Sequence, residues 1–171
     1  MMNRVKNNKG ITIMMLVITV IIMLILVMFA VYYSRNAAVE ARIAAAYTSL
    51  KEVKEACERA IIEIELDPST YDEYYFFGRN VQTDGSNLAE IQEKCGGVTL
   101  SERSYKISDS TDDENKRRLD NLEISKIKDT FIVDLENKKY YILDGVKKAD
   151  GNKVYEYREI QLSYDMLTAT K

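Results

Sequence analysis

Few residues of this chain have the chemistry for catalysis. Its 171 residues include no histidine, so there is no imidazole base and no imidazole metal ligand. The sequence has no serine nucleophile elbow, no glycine-rich phosphate loop and no Cys-x-x-Cys pair. Carboxylates are plentiful, but no spacing arranges two of them as a catalytic pair. We therefore expect neither enzyme activity nor a cofactor, and interpret the chain as a structural or binding protein.

The acidic cluster in the middle of the chain is a candidate for metal binding. It lies within the charged segment 108–128 and consists of Asp109, Asp112, Asp113 and Glu114. Its spacing matches no EF-hand loop. Acidic residues precede basic ones in this segment, which is the order that a helix dipole favours. A solvated helix or loop is therefore the preferred interpretation, with calcium binding as the alternative.

The N-terminus joins a basic segment to a long apolar one. Residues 1–10 carry Arg4, Lys6 and Lys9 and end at Gly10, and residues 11–33 carry no charge. A helix needs about 20 apolar residues to cross a bilayer core, so this run is long enough to span it. The positive charges before the span predict a cytoplasmic N-terminus and an exported remainder.

A cleaved secretory signal fits this segment poorly. Such signals have a shorter apolar region, of about 7–15 residues, followed by small residues at the cleavage site. Here Tyr32, Tyr33, Ser34 and Arg35 follow instead. An uncleaved signal anchor carrying an extracytoplasmic domain that binds a ligand or partner remains the alternative interpretation.

Residues 34–66 continue the helix with an amphipathic pattern. Apolar residues recur every three or four positions, as expected for one stripe of a 3.6-residue period: Ile43, Ala46, Leu50, Val53, Cys57, Ile61 and Ile64. Charged residues occupy the other faces. Asp67-Pro68 ends the helix, because the residue before proline is disfavoured in the α region.

The junction Lys9-Gly10-Ile11-Thr12, with Leu16 at the sixth position after the glycine, resembles the leader of type IV pilins and pseudopilins. The resemblance covers about the first 55 residues. It implies that a prepilin peptidase cuts after Gly10 and methylates the new amine of Ile11. It also implies association with other pilin subunits through the N-terminal helix, an inner-membrane assembly platform, and residence in the bilayer before assembly into a surface filament.

Two residues depart from the pilin pattern. The family usually has a glutamate at the fifth mature position, where this chain has Met15. Some minor pilins and tip pseudopilins also lack it, so we expect a minor subunit. The proline often found near the twenty-second mature position is replaced by Tyr32, which predicts a straighter helix.

The charge of the chain disfavours binding to nucleic acid. The net charge is −3, and removing residues 1–10 takes away three of the 24 basic residues and none of the 27 acidic ones, leaving −6. An acidic exported domain has no bulk electrostatic attraction for a polyanion.

Residues 67–171 are predicted to form one exported globular domain. Its connector, residues 67–85, contains an aromatic cluster, residues 71–77, which we expect to pack over the helix; a binding patch is the alternative. Asn87 predicts the N-cap of a short helix that Gly96-Gly97 ends. Cys57 and Cys95 then both lie on apolar helical faces, which predicts either a disulfide or two buried free thiols.

The C-terminal part predicts a small antiparallel sheet. Residues 98–107 are a candidate edge strand. Apolar residues alternate at 131, 133 and 135, and residues 140–143 return as the partner strand after a turn at Asn137-Lys138. Residues 154–157 form a third strand after a turn at 150–152. Asp144-Gly145 is expected to break the second of these strands, and 160–167 to add a short last segment. The fold class is thus α+β, with a long N-terminal helix packed on the sheet, as in pilins. By resemblance to some pseudopilins, Asp144, Asp150 and Asp165 are weak calcium candidates.

Overall fold

The computed structural model describes residues 9–108, 113–124 and 127–169, with side chains from Ile13 onward. The chain divides into two compact units, Met1–Ala38 and Val39–Lys171. A single helix, α1 (Lys9–Leu66), supplies the described part of the first unit and the beginning of the second. It ends at the residue before Asp67-Pro68, as predicted.

The second unit is built around a four-stranded antiparallel sheet in the order β1-β2-β3-β4. The strands are β1 (Ser104–Ile107), β2 (Phe131–Asp134), β3 (Lys139–Lys147) and β4 (Lys153–Glu156). Consecutive strands are neighbours, and the candidate edge strand does lie at an edge. The α+β arrangement of a long helix on a small antiparallel sheet is therefore confirmed.

The predicted stripe of α1 is the buried face of this unit. Its residues Ile43, Leu50, Val53 and Cys57 are at most 3% exposed and pack in one core with Phe131, Val133, Tyr140 and Ile142 of the sheet. The glutamates at positions 52, 55, 58, 63 and 65 are exposed, as the pattern predicted.

The other face of the sheet is also covered. Ile132 and Tyr141, which alternate with the residues facing α1, form a second core with Ile91, Cys95 and Leu100. This layer includes α3 (Leu88–Lys94), where the Asn87 side chain accepts from the backbone N–H of Glu90 at 3.4 Å. Because β2 is buried on both faces, the unit has three layers: α1, the sheet, and the layer that includes α3.

Two short helices contribute side chains to the core beneath α1. They are α2 (Glu73–Phe77) and α4 (Asp113–Asn121). In the aromatic cluster, Phe76 and Phe77 are buried, whereas Tyr74 and Tyr75 are 49% and 42% exposed. The predicted packing of the connector is thus confirmed for the phenylalanines.

The C-terminal part differs from the prediction in two places. Asp144-Gly145 does not end its strand, because both residues adopt positive φ, 67° and 65°, and form an irregularity through which β3 continues to Lys147. The segment after the last strand is a helix, α5 (Tyr157–Ala169). Its Tyr157 and Tyr164 rings stack on Tyr47 of α1 at centroid distances of 5.7 and 4.7 Å.

Candidate functional site

The candidate cleavage junction lies at the start of α1. Lys9, Gly10 and Ile11 belong to the helix, while residues 1–8 lie outside the described part of the chain. Cleavage after Gly10 and methylation of Ile11 depend on these residues and on an external peptidase. Both remain predictions from the sequence.

The side chains in the apolar half of α1 are exposed. Its large apolar residues between Ile13 and Tyr33 are 46–75% exposed. The helix is long and apolar enough to cross a membrane. The Thr19 hydroxyl donates to the Leu16 carbonyl at 2.8 Å, which satisfies this polar group without water. The described part of the first unit therefore has the properties of a membrane-spanning helix.

The position that usually carries the pilin glutamate lies on this exposed surface. Met15 is 68% exposed. It has no carboxylate, so it lacks the group that the resemblance to pilins leads us to expect at this position. An apolar side chain here also avoids the cost of a charge in the hydrocarbon region.

The predicted disulfide is not formed, because the two cysteines lie on opposite faces of the sheet. Cys57 belongs to the core beneath α1 and Cys95 to the core beneath α3. Tyr140 and Tyr141 are consecutive in β3 and therefore point to opposite faces, Tyr140 near Cys57 and Tyr141 near Cys95. Both cysteines are free and buried, which corrects the disulfide interpretation and leaves the alternative of two thiols.

The weak calcium candidates are not brought together. Asp144 lies in the irregular part of β3, Asp150 in the β3–β4 turn and Asp165 on α5. Asp150 accepts hydrogen bonds from the backbone N–H and side-chain amide of Asn152 at 2.9 and 3.1 Å, as a turn residue does. Within the described ranges, no three His, Cys, Asp or Glu residues form a group suited to a metal ion. Of the central acidic cluster, Asp109 and Asp112 lie outside these ranges.

Among the residues that the structure describes, the most buried charged one is Asp134, at the end of β2, with 1% exposure. Its carboxylate accepts from the backbone N–H and hydroxyl of Ser101 at 3.2 and 2.7 Å. It also accepts from the backbone N–H and side-chain amide of Asn137 at 3.0 and 2.9 Å. Burial alone would raise the pKa of this carboxyl, but these hydrogen bonds lower it below its ordinary value. Asp134 thus joins the β2–β3 turn to the segment before β1.

A charged groove of about 680 Å³ was not predicted from the sequence. Its lining includes Arg42 of α1, Lys128 before β2, Lys147 of β3 and Lys153 of β4, and we call it the basic groove. The sequence contained only a partial signal for it: Lys147 and Lys153 lie on either side of the predicted turn at 150–152, three residues before it and one residue after it, and the observed strand register makes them direct partners. Arg42 and Lys128 are brought to the groove only by the tertiary packing.

The described residues thus provide an apolar helix with the properties of a membrane span, an amphipathic continuation that carries a globular domain, and one basic groove. Buried cysteines and separated aspartates contribute no further site among them. Comparisons of the chain with protein-family models, with curated proteins and with solved structures found no match.

Proposed function

We propose that this chain is a type IV pilin-like structural subunit, cut after Gly10 by a prepilin peptidase and assembled into a pilus or pseudopilus. The observation that carries the proposal is the form of α1. One continuous helix joins an uncharged half, exposed throughout its described side chains, to an amphipathic half whose stripe packs on an antiparallel sheet. The basic leader and Gly10 in front of this helix fit the same function.

The proposed mechanism is helix packing without covalent chemistry during assembly. The apolar halves of many subunits leave the lipid and form the core of a filament. This transfer has little hydrophobic cost, because lipid tails and apolar side chains are similarly apolar, so close packing decides the equilibrium. Small side chains permit close packing, and directly after its apolar half α1 has alanines outside the domain core at positions 37, 38, 41, 44 and 45.

Met15 makes a minor or tip subunit the favoured role. A subunit without the carboxylate cannot form the usual pairing with a neighbour's terminal amine, so it is poorly suited to be the repeating unit. The same residue is the observation that favours the rival function, an uncleaved single-pass membrane protein whose outer domain binds a ligand or partner. In that case no assembly contact is needed from the helix.

The mass of the membrane-extracted protein distinguishes the two functions. In cells that contain a prepilin peptidase, we expect the purified chain to begin at Ile11 and to carry one additional methyl group. Gly10→Leu should retain the leader, because the bulky side chain obstructs the extended chain in the peptidase. Asn8→Ala is the matched control, since it changes the leader and keeps the glycine, and it should be processed normally. A wild-type protein that retains residues 1–10 in these cells contradicts the proposal.

A further inference from the structure

The basic groove holds positive charge that the domain does not neutralise. Among the residues that the structure describes, Arg42, Lys128, Lys147 and Lys153 form no ion pair with a carboxylate. The neighbouring Lys148 instead lies 3.6 Å from Asp150. Unpaired cations around one concave surface are unexpected in a chain with a net charge of −3.

Two of these cations are held in an unfavourable arrangement. Lys147 and Lys153 are direct partners across the antiparallel β3–β4 pair. Like charges directly opposite each other destabilise a sheet. An anion bound between or beside them would relieve this repulsion. The strand register is therefore evidence for an anionic ligand that is independent of the shape of the groove.

The carboxylates near the groove offset only part of its charge. Asp129 and Asp144 also line it, against four cations, which leaves an excess of two positive charges. Asp144 also acts on a cation outside the groove, Lys94, whose pKa is raised chiefly by Glu90 and to a smaller extent by Asp144. The groove therefore still attracts anions. It suits an anion with two negative charges, or an anion that binds at a distance from the Asp129 carboxylate.

The floor of the groove is apolar. It includes Ala46, Ile142 and Val146, which are 3–8% exposed and belong to the core beneath α1. The volume of about 680 Å³ exceeds what a single inorganic ion needs and lies in the range of small-molecule sites, roughly 300–1,000 Å³. A charged rim above an apolar floor suits an anionic group attached to an organic body.

We propose that the basic groove binds the phosphate group of a phosphate ester. Lysine and arginine are the side chains that bind phosphate most readily, through charge-assisted hydrogen bonds. Such an ester can be the headgroup of an anionic phospholipid or a soluble molecule. Arg42 follows the end of the apolar run by only nine residues, which makes a lipid headgroup a natural source. The proposal is independent of cleavage at Gly10, since a chain that keeps its leader has the same groove.

The test uses the full chain in detergent micelles, with two probes. In the lipid arm, native mass spectrometry measures retention of phosphatidylglycerol against phosphatidylcholine. In the soluble arm, titration with sn-glycerol 3-phosphate is followed by NMR at the groove residues. The groove variant is Lys147→Gln with Lys153→Gln. Its matched control is Lys116→Gln with Arg117→Gln, an exposed basic pair on α4 that removes the same charge outside the groove.

We expect the groove variant to bind the phosphate probe roughly tenfold more weakly or worse, since each basic residue near an anionic surface contributes appreciably to binding. The control variant should bind as the wild type does. If the wild type prefers phosphatidylglycerol and does not bind sn-glycerol 3-phosphate, the source of the phosphate is a lipid. If it binds sn-glycerol 3-phosphate, the phosphate ester itself is sufficient for binding. Equal loss in the groove and control variants, or binding of neither probe by the wild type, overturns the proposal. Near-ultraviolet circular dichroism of both variants verifies that the fold is retained.

Discussion

Asp134 shows how one buried side chain determines the conformation of a sheet end. Its four hydrogen bonds connect two segments that are more than thirty residues apart in sequence. We expect Asp134→Asn to lower the free energy of unfolding by about 1.5–3 kcal/mol, the usual contribution of hydrogen bonds to a charged group. The amide would also direct an N–H toward donors of Ser101 or Asn137. Asp120→Asn, an exposed carboxylate on α4, is the control and should have little effect.

The contribution of Asp134 should depend on pH. Because its pKa in the folded state lies below that of the unfolded state, the charged form is favoured by folding. Its stabilisation is therefore fully present above the unfolded pKa, about 3.9, and is lost as the pH falls through the lower folded value. Urea unfolding followed by tyrosine circular dichroism at several pH values measures this. A stability difference between wild type and Asp134→Asn that stays constant from pH 7 to pH 2.5 would contradict the assignment.

The cysteines illustrate a site that sequence alone left open. Periodicity placed each on an apolar helical face correctly, but not on which side of the sheet each helix packs. The run Phe131-Ile132-Val133 contained the missing information, because consecutive apolar residues are typical of a strand buried on both faces. The alternation of residues 131, 133 and 135 indicates only one buried face of the sheet. With one core, both cysteines would lie in it, and a disulfide would be possible.

Both thiols should be unreactive in the folded protein. Burial, and to a smaller extent Asp144, raise the pKa of Cys95 to about 11, and burial with Glu58 raises the pKa of Cys57 still further. At pH 8 only about one Cys95 thiol in a thousand is then ionised. We expect no alkylation by iodoacetamide before unfolding, and two alkylated cysteines after unfolding without a reductant. A requirement for reductant would show a disulfide instead.

At the scale of elements, α1 supports the domain through its buried stripe and not through its surface charges. Leu50 is 0% exposed in the core, so Leu50→Ala should lower the free energy of unfolding by about 2–5 kcal/mol. The next residue is the control. Lys51 lies 3.8 Å from Glu55 with both side chains about half exposed, and Lys51→Ala should change stability by less than about 1 kcal/mol. Similar losses for the two variants, measured by thermal unfolding, would contradict this division.

The helix α5 shows why the C-terminal segment was harder to predict. Its core-facing residues are Tyr157, Ile160, Tyr164 and Leu167, a spacing of three and four that is typical of a helix. However, Ser163 is buried on the same side, and Leu162 and Met166 are exposed at 57% and 62%. This mixture weakens the periodic pattern in sequence. The helix is positioned by the tertiary stacking of its tyrosines on Tyr47, which no local signal reports.

At the scale of the whole molecule, the sequence predicted the parts whose signal is local and missed the site formed by distant residues. The length of the apolar run, the stripe of α1 and the helix end at Asp67-Pro68 each depend on residues close in sequence. The basic groove combines residues 42, 128, 147 and 153, which are adjacent only after the sheet has formed on the helix. Composition predicted an acidic surface, because the net charge of the chain does not report a local cluster of positive side chains.

The proposed role as a minor filament subunit makes a prediction for Met15. Met15→Glu supplies a carboxylate that would pair with the terminal amine of a neighbouring subunit. That pairing should offset the cost of placing a charge in lipid, about 2.5–3.5 kcal/mol. Met14→Glu is the matched control, because it adds the same charge about 100° away on the helix, where no pairing is expected. We expect the first variant to enter sheared filaments at least as well as the wild type, and the second to enter much less. If both variants are excluded equally, as measured by immunoblotting filament and membrane fractions, position 15 has no assembly role. An uncleaved anchor would show this equal behaviour, since for it both substitutions only place a charge in the bilayer.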